Sequence, residues 1–333
     1  MPGKAQIIDG STIAKKIREE LTEEFKSLIH KSGAVPTLAV VLVGDDEASK
    51  IYIKHKKAGC AEVGIKSVEM VLSKDTTESE LVDVIKELNN NPMINGILVQ
   101  VPLPAQINPK VIAEVINPQK DVDGFHPYNI GSLAKGRPSF RSCTPYGIML
   151  LLESTKVNLV GKTAVVVGTS DIVGIPMLLE LISAGVTVTA CNIDTPPTVL
   201  QAKVEEADIV ITATGIAGLI KGEWIKDGSI VIDCGSPRAE VEFEIAVQRA
   251  AWITPVPKGV GPMTIACLLT NVLQACSRQL NLSLEVLRVE NPVITRAFNL
   301  SKKRTVELIT VTASANECSN SEEKKIKQEC LAT

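Results

Sequence analysis

Residues 165–176 read VVVGTSDIVGIP. Three valines end an apolar run, and the chain breaks at Gly168 into two hydroxyl residues. A second glycine, Gly174, and then a proline open the next segment. Glycine at both ends of a strand-to-helix loop lets backbone approach another group closely. The N–H groups and dipole of a following helix favour a phosphate. Ser170 stands where the usual G-x-G-x-x-G pattern has its middle glycine. By itself the loop fits either a dinucleotide cradle or a plain strand–helix turn.

The flanking sequence gives the loop a context. VTVTAC (186–191), DIVITATG (208–215) and SIVIDCG (229–235) follow as short apolar strands between helical stretches. Before the loop, LAVVLVG (38–44), SVEMVL (67–72) and GILVQVP (96–102) alternate with helices in the same way. Ile13, Ile17, Leu21, Phe25 and Leu28 recur at helical spacing over 11–32, with Ser11 as a candidate cap. Continuous apolar strands between helices predict parallel sheets covered on both faces. The pattern restarts after Pro145, which predicts two α/β units, the second the smaller. An apolar helix is expected from Pro262 to about Leu280. Beyond it, NECSNSEEKKIKQE is polar and reads as a mobile tail.

At 333 residues the chain has room for about two domains. A net charge of -3 gives no general attraction to nucleic acid or anionic membrane, and 3% aromatic residues supply no base-stacking platform. The apolar runs read as strand-length, so no membrane span is expected, and the N-terminus has no signal-peptide pattern. Eight cysteines and three histidines show no metal-ligand spacing, so no metal is expected. Cysteines scattered in apolar runs read as reduced thiols of a cytoplasmic protein.

In the helix after the first apolar strand, Ser49, Tyr52 and Lys56 stand at i, i+3 and i+7 and share a face. Gln100 closes an otherwise apolar strand, where open parallel sheets bind ligands and an unpaired amide is costly. KDVDG (120–124) places two acids around a turn. These read either as solvated loop and helix residues or as a converging set. A carboxylate, an amide, a lysine and a tyrosine together suit a pterin, which offers an amino-pyrimidine edge and a flat face. Asp194 lies twenty residues after Gly174, where an acid bonds the ribose of NAD and repels the extra phosphate of NADP. An exposed turn residue is the other reading.

In order along the chain, the motifs are S-x-x-Y-x-x-x-K (49–56), GILVQVPLP (96–104), KDVDG, CTP (143–145), G-x-S-x-I-V-G-x-P (168–176), ATG (213–215), KGEWIKDGSIVIDCG (221–235) and ITPVPKGVGPMT (253–264). With these the chain resembles the bifunctional methylenetetrahydrofolate dehydrogenase/methenyltetrahydrofolate cyclohydrolase family. The resemblance implies two α/β domains: an N-terminal folate-binding parallel-sheet domain (1–145 plus 265–283) and an inserted Rossmann-like dinucleotide domain (146–264). A C-terminal helix returns to the first domain, and 284–333 is a flexible tail. It implies Lys56 as the catalytic cation, Gln100 as its partner, Tyr52 stacked on folate and Asp123 holding the pterin, with Ser49 and Pro262 also at the substrate. It further implies that Gly168, Thr169, Ser170, Ile172, Val173, Gly174, Thr214, Gly215, Cys234, Gly235 and Gly261, with Asp194, line the NADP or NAD site. The partners implied are tetrahydrofolate derivatives and a second copy of the chain. Pro262 is a candidate cis proline.

The sequence also departs from the family. NADP-dependent members usually carry Arg after the first loop glycine, where Thr169 stands, and His-Ser where Asn192-Ile193 stand. Both changes remove partners for a 2′-phosphate and Asp194 adds repulsion, so NAD preference is expected. The 235–239 segment is short, Glu240-Val241-Glu242-Phe243 stand where the family has an Asp-Val-Asp-Phe-like run, and Lys258 replaces the first glycine of P-G-G-V-G-P. An NAD-dependent dehydrogenase without the hydrolase, or a non-catalytic folate-binding paralogue, are the alternatives.

Overall fold

The computed structural model describes residues 4–282. The expected tail, 284–333, lies outside the described residues. The elements are β1 (Gln6–Ile7), α1 (Gly10–Ser32), β2 (Thr37–Val43), α2 (Glu47–Val63), β3 (Lys66–Leu72), α3 (Glu78–Asn90), β4 (Gly96–Val99), α4 (Pro109–Val115), α5 (Pro127–Ala134), α6 (Cys143–Ser154), β5 (Thr163–Val167), α7 (Gly174–Ser183), β6 (Thr187–Cys191), α8 (Pro197–Glu206), β7 (Ile209–Thr212), β8 (Ile230–Asp233), α9 (Phe243–Ala246), β9 (Trp252–Ile253) and α10 (Val260–Gln279).

Two parallel sheets form. The first has the order β3-β2-β4 and the second β1-β9-β8-β7-β5-β6. Every residue of β2 and β4 is buried, as expected for β-branched runs covered on both faces. The second sheet is the larger, against expectation, because it recruits β9 and the chain's first strand. Gln6 and Ile7 pair with Trp252 and Ile253, so these two residues lie apart from the sheet formed by the rest of 1–145. The GILVQVP strand stops at Val99, where Gln100 begins the functional loop.

Helix α1 buries Ala14, Ile17, Leu21, Phe25 and Leu28. Its cap is Asp9, which accepts from the Thr12 N–H, rather than Ser11, because the helix starts at Gly10. Helix α10 begins at Val260, so Pro262 lies in its first turn. There a proline lacks only an N–H that no helical carbonyl would receive. The Gly261–Pro262 bond is accordingly not among the cis bonds, which fall at 101–102, 236–237 and 256–257. Helix α10 is also long and apolar enough to cross a membrane by length and composition, which corrects the strand-length reading. Its apolar face is spent inside the protein, where it packs against α1 and α6.

One buried ion pair connects the two halves. Arg141, just before α6, donates Nε and Nη2 to the two carboxylate oxygens of Glu180 on α7, each at 2.6 Å. The guanidinium also lies 4.0 Å over the Tyr146 ring. Gly124 packs its backbone against Arg141 and Ser142, where a Cβ would come within 2.7 Å of backbone atoms. We expect Glu180→Gln, which leaves a buried guanidinium without its counter-charge, to cost about 3–5 kcal/mol in a denaturant titration. An R141M/E180L double variant should cost less. A single-variant loss under about 1 kcal/mol, as for an exposed pair, would refute this reading.

Candidate active site

Helix α2 starts at the cap Asp46, whose carboxylate accepts the Ser49 N–H at 2.7 Å. It ends on Gly64 in the left-handed conformation. Its buried face carries Ser49, Ile53, Lys56 and Cys60. Tyr52 stands at the edge of that face and is 41% exposed, so the shared face is split between interior and cleft. Lys56 is 9% exposed, and its Nζ donates to Gln100 Oε1 at 3.1 Å. Gln100 is 7% exposed, and its Nε2 donates to the Val101 carbonyl. That bond fixes which end of the amide faces the lysine. Ser49 presents a buried hydroxyl with no hydrogen-bond partner among the described residues.

The two acids of KDVDG do different work. Asp121 is buried and accepts from the N–H groups of Gly124, Phe125 and His126 and from the Asn129 amide. Lys120 donates to the carbonyls of Leu88, Asn89 and Asn91 at the end of α3. These two residues therefore hold the turn. Asp123 is left half-buried beside Lys56. Burial pushes its carboxyl above the ordinary carboxylate range; the Lys56 cation opposes this, and the Asp121 charge adds to it. Lys56 and Asp123 form no ion pair within 4.0 Å among the described residues. A cavity beneath Asp123 is lined by Val99, Val101, Ile112 and Phe125. The Cys60 thiol, pushed up to about 12 mainly by burial, stays neutral beside the lysine.

The second half supplies a crevice. Strand β5 lies between β7 and β6, so the chain order reverses there, at the place where open parallel sheets bind ligands. Gly168 has φ +105°, and a Cβ on it would sit 2.2 Å from the Ala213 carbonyl oxygen. A Cβ on Gly174 would sit 2.1 Å from the Gly168 oxygen. Both glycines are thus required by backbone contact, which is the cradle a dinucleotide needs. Ser170 Oγ accepts the Val173 N–H at 3.2 Å and shapes the loop. Thr169 is half-buried and Ile172 exposed along the same loop.

The far wall is Ala213–Gly215, and it is held by a residue that the sequence reading names only as part of an altered run, with no role. Glu240 accepts from the Thr214 N–H, the Thr214 hydroxyl and the Gly215 N–H. Asp233 in turn accepts from the Gly235, Glu240 and Val241 N–H groups. Cys234 and Gly235 follow β8 directly, and Gly235 is needed because a Cβ would meet the Arg238 oxygen at 2.2 Å. Asp194 lies three residues past the end of β6, in a turn closed by Asn192 and Thr195, not at the strand end itself. Gly261 sits in the first turn of α10 with open space where a Cβ would be.

The carboxyl ends of the two sheets are bridged. The Tyr52 and Ser236 hydroxyls share a hydrogen bond, and Lys110 Nζ lies 3.3 Å from Asp171 of the glycine loop. The Lys56 site and the glycine crevice therefore open toward one another.

Residues 8–123 match the family model for the tetrahydrofolate dehydrogenase/cyclohydrolase catalytic domain, and residues 142–280 that for its NAD(P)-binding domain. The chain belongs to the tetrahydrofolate dehydrogenase/cyclohydrolase family. It is 52% identical over 279 residues to bifunctional protein FolD 2 of Geobacter metallireducens, covering 82% of this chain and 97% of that protein. It is 53% identical over 278 residues to bifunctional protein FolD of Methylobacillus flagellatus, covering 81% and 96%. Among solved structures, the bifunctional FolD of Campylobacter jejuni superposes with a TM-score of 0.79 at 42% identity, over 82% of this chain and 99% of that one. The Trypanosoma brucei enzyme, solved with NADP and an inhibitor, gives 0.80 at 37%, over 84% and 99%.

Lys258, where the resemblance leads one to expect glycine, has a distinct backbone conformation. Lys258 adopts φ +83°, a conformation that favours glycine. Its side chain is exposed, so the lysine occupies the glycine position without filling buried space.

Proposed function

We propose that this chain oxidises 5,10-methylenetetrahydrofolate to the 5,10-methenyl form and then hydrolyses that to 10-formyltetrahydrofolate. The observation that carries this is the buried Lys56–Gln100 pair beside Asp123, opening toward a crevice walled by Gly168 and Ala213. A bound NAD(P) supplies the hydride acceptor. Gly168, Ser170, Gly174 and the 213–215 wall would hold it, with Thr169, Ile172, Val173, Cys234, Gly235 and Gly261 around it. The folate side is 1–145 with 265–283, less the short β1, and the dinucleotide side is 146–264.

The chain's own groups account for orientation and proton handling. Gln100 takes one Nζ hydrogen of Lys56 and leaves two for substrate or water. A cation held in a mostly dry site stabilises the oxyanion that forms when water adds to the methenyl carbon; the C–N5 bond then breaks, N5 takes one of the water's protons and the other is released to solvent, leaving the formyl group on N10. Asp123 faces the amino-pyrimidine edge, where its raised proton affinity is lowered again by the donors it meets there. Tyr52 offers its ring to the substrate's flat part, with Ser49 and Pro262 at the margins. Loss of the hydrolase is not favoured, since Lys56 and Gln100 are paired.

NAD is the preferred acceptor on this reading. Asp194 projects from an exposed turn beyond β6, and neither Thr169 nor Asn192 offers a cation to a 2′-phosphate. A homodimer through the second sheet also fits. Strand β6 is a sheet edge with Thr187, Thr189 and Ala190 exposed; Ile182 is exposed just before it in sequence, and exposed Val160 packs beside Gly185.

Three measurements test these points. Lys56→Ala should abolish 10-formyl product while folate still binds; unchanged formation of that product would remove Lys56 from the chemistry. Initial rates with methylenetetrahydrofolate should show kcat/KM at least about tenfold higher with NAD than with NADP, the scale of one lost charge-assisted contact. A preference for NADP would overturn the reading of Asp194 and Thr169, and no rate with either would overturn the dehydrogenase. Light scattering after size exclusion should give twice the chain mass, and Thr189→Lys should halve it; a monomeric wild type ends the dimer proposal.

A further inference from the structure

The deepest carboxylate near the crevice belongs to a residue to which the sequence reading gives no role. Glu240 is 2% exposed. A carboxylate buried so far needs donors, and all of its donors come from one dipeptide. The Thr214 N–H reaches both oxygens at 2.9 Å, the Thr214 hydroxyl reaches Oε2 at 2.8 Å, and the Gly215 N–H reaches Oε1 at 2.7 Å. Glu240 is itself anchored. Its N–H donates to Asp233 Oδ2 at 2.9 Å, and its carbonyl accepts from Ile220 at 3.0 Å. The neighbouring Ala239 carbonyl accepts from Gly218 at 3.0 Å. Both ends of the loop after β7 are thus tied to residues 239–240.

This tie decides which way the loop's peptide groups point. In a planar trans peptide the C=O points opposite to the N–H. With the Thr214 N–H aimed at Glu240, the Ala213 carbonyl faces the other way, and its oxygen is the atom that abuts Gly168. By the same geometry, with the Gly215 N–H on Glu240, the Thr214 carbonyl turns away from the carboxylate. The wall therefore keeps these two N–H donors on the Glu240 side and turns the Thr214 carbonyl to the other, which suits the hydroxyl-bearing part of a dinucleotide better than a phosphate.

We propose that Glu240 is a positioning residue for dinucleotide binding: its buried carboxylate sets the far wall of the crevice, so hydride transfer depends on it and hydrolysis does not. This rests on the bifunctional reading above. Glu240 has its donors within the protein and is too buried to meet the ligand, so it acts through Thr214 and Gly215.

The test compares Glu240→Gln and Glu240→Asp with the wild-type chain, using NAD and NADP as probes. Glutamine turns one acceptor into a donor that faces N–H groups. We expect calorimetry to show the dinucleotide Kd raised about tenfold or more in Glu240→Gln, with KM rising alike. Glu240→Asp keeps the charge but draws it back one methylene, and should fall between. Cyclohydrolase turnover, assayed from methenyltetrahydrofolate without dinucleotide, should stay within about twofold of wild type. Equal loss of both activities in both variants, or a lowered melting temperature with unchanged Kd, would make Glu240 merely structural and overturn the proposal. Tighter dinucleotide binding in Glu240→Gln would also overturn it, since the carboxylate would then compete with the ligand for those donors. A wild type that binds dinucleotide but shows no dehydrogenase rate would count against the bifunctional reading alone, because the Kd comparison still decides Glu240.

Discussion

A lysine ammonium buried against an amide oxygen is the constraint around which the folate side is arranged. Desolvating a cation is expensive, and an ion pair would be the usual offset. Lys56 has Gln100 instead, with Asp123 close enough to feel its charge. An ion pair would satisfy the cation and quench it. An amide satisfies one hydrogen and leaves the charge unquenched. The arrangement demands a strand that ends at Gln100, a helix that turns Lys56 inward, and a third segment that brings Asp123 up without closing the contact. Strand β4, helix α2 and the 120–124 turn meet these needs.

The turn shows how a protein separates an acid saturated with donors from one that is not. Asp121 is saturated by three backbone N–H groups and an amide, so it can do little beyond holding shape. Asp123, two residues on, has among the described residues no backbone N–H on it and only the Cys143 thiol as a hydrogen-bond donor, and it carries a raised proton affinity caused first by burial. The same logic recurs across the crevice. Asp233 and Glu240 spend their acceptors on backbone N–H groups and on the Thr214 hydroxyl, and in doing so fix two loops.

The features legible in the sequence were those written in local pattern. Apolar runs gave β2, β4, β5 and β7, helical spacing gave α1, and the spacing of Ser49, Tyr52 and Lys56 placed α2. Gly168 and Gly174 were readable because only glycine survives such close backbone contact. What stayed hidden depends on partners far apart in the chain. Arg141 meets Glu180 39 residues on, and Glu240 meets Thr214 26 residues back. Neither spacing has a period. Strand β1 has two residues and no pattern of its own, so its place beside β9 is visible only once the sheet exists. Asp194 was found by counting residues, and counting cannot distinguish a strand end from the turn after it.

Lys258 shows what a side chain at a left-handed backbone position requires. Its φ of +83° costs a side-chain-bearing residue about 1–2 kcal/mol relative to the ordinary helical region. The backbone cannot relax, because its carbonyl accepts the Ser11 N–H at 3.0 Å at the start of α1. The next residue, Gly259, is pressed against Gly10, where a Cβ would lie 1.9 Å from the Gly259 oxygen. The strain is therefore imposed by the packing of the α1 and α10 starts on each other. What makes lysine acceptable is that its side chain leaves toward solvent and toward Asp9, whose carboxyl is held low first by the Thr12 hydroxyl and also by this cation. Space and charge are both available at 258, so only the backbone term opposes the substitution. At Gly259 the space is missing, since a Cβ would lie 2.6 Å from the Pro255 oxygen. Of the two adjacent positions, the side chain stands at the one where it can leave the packed interior.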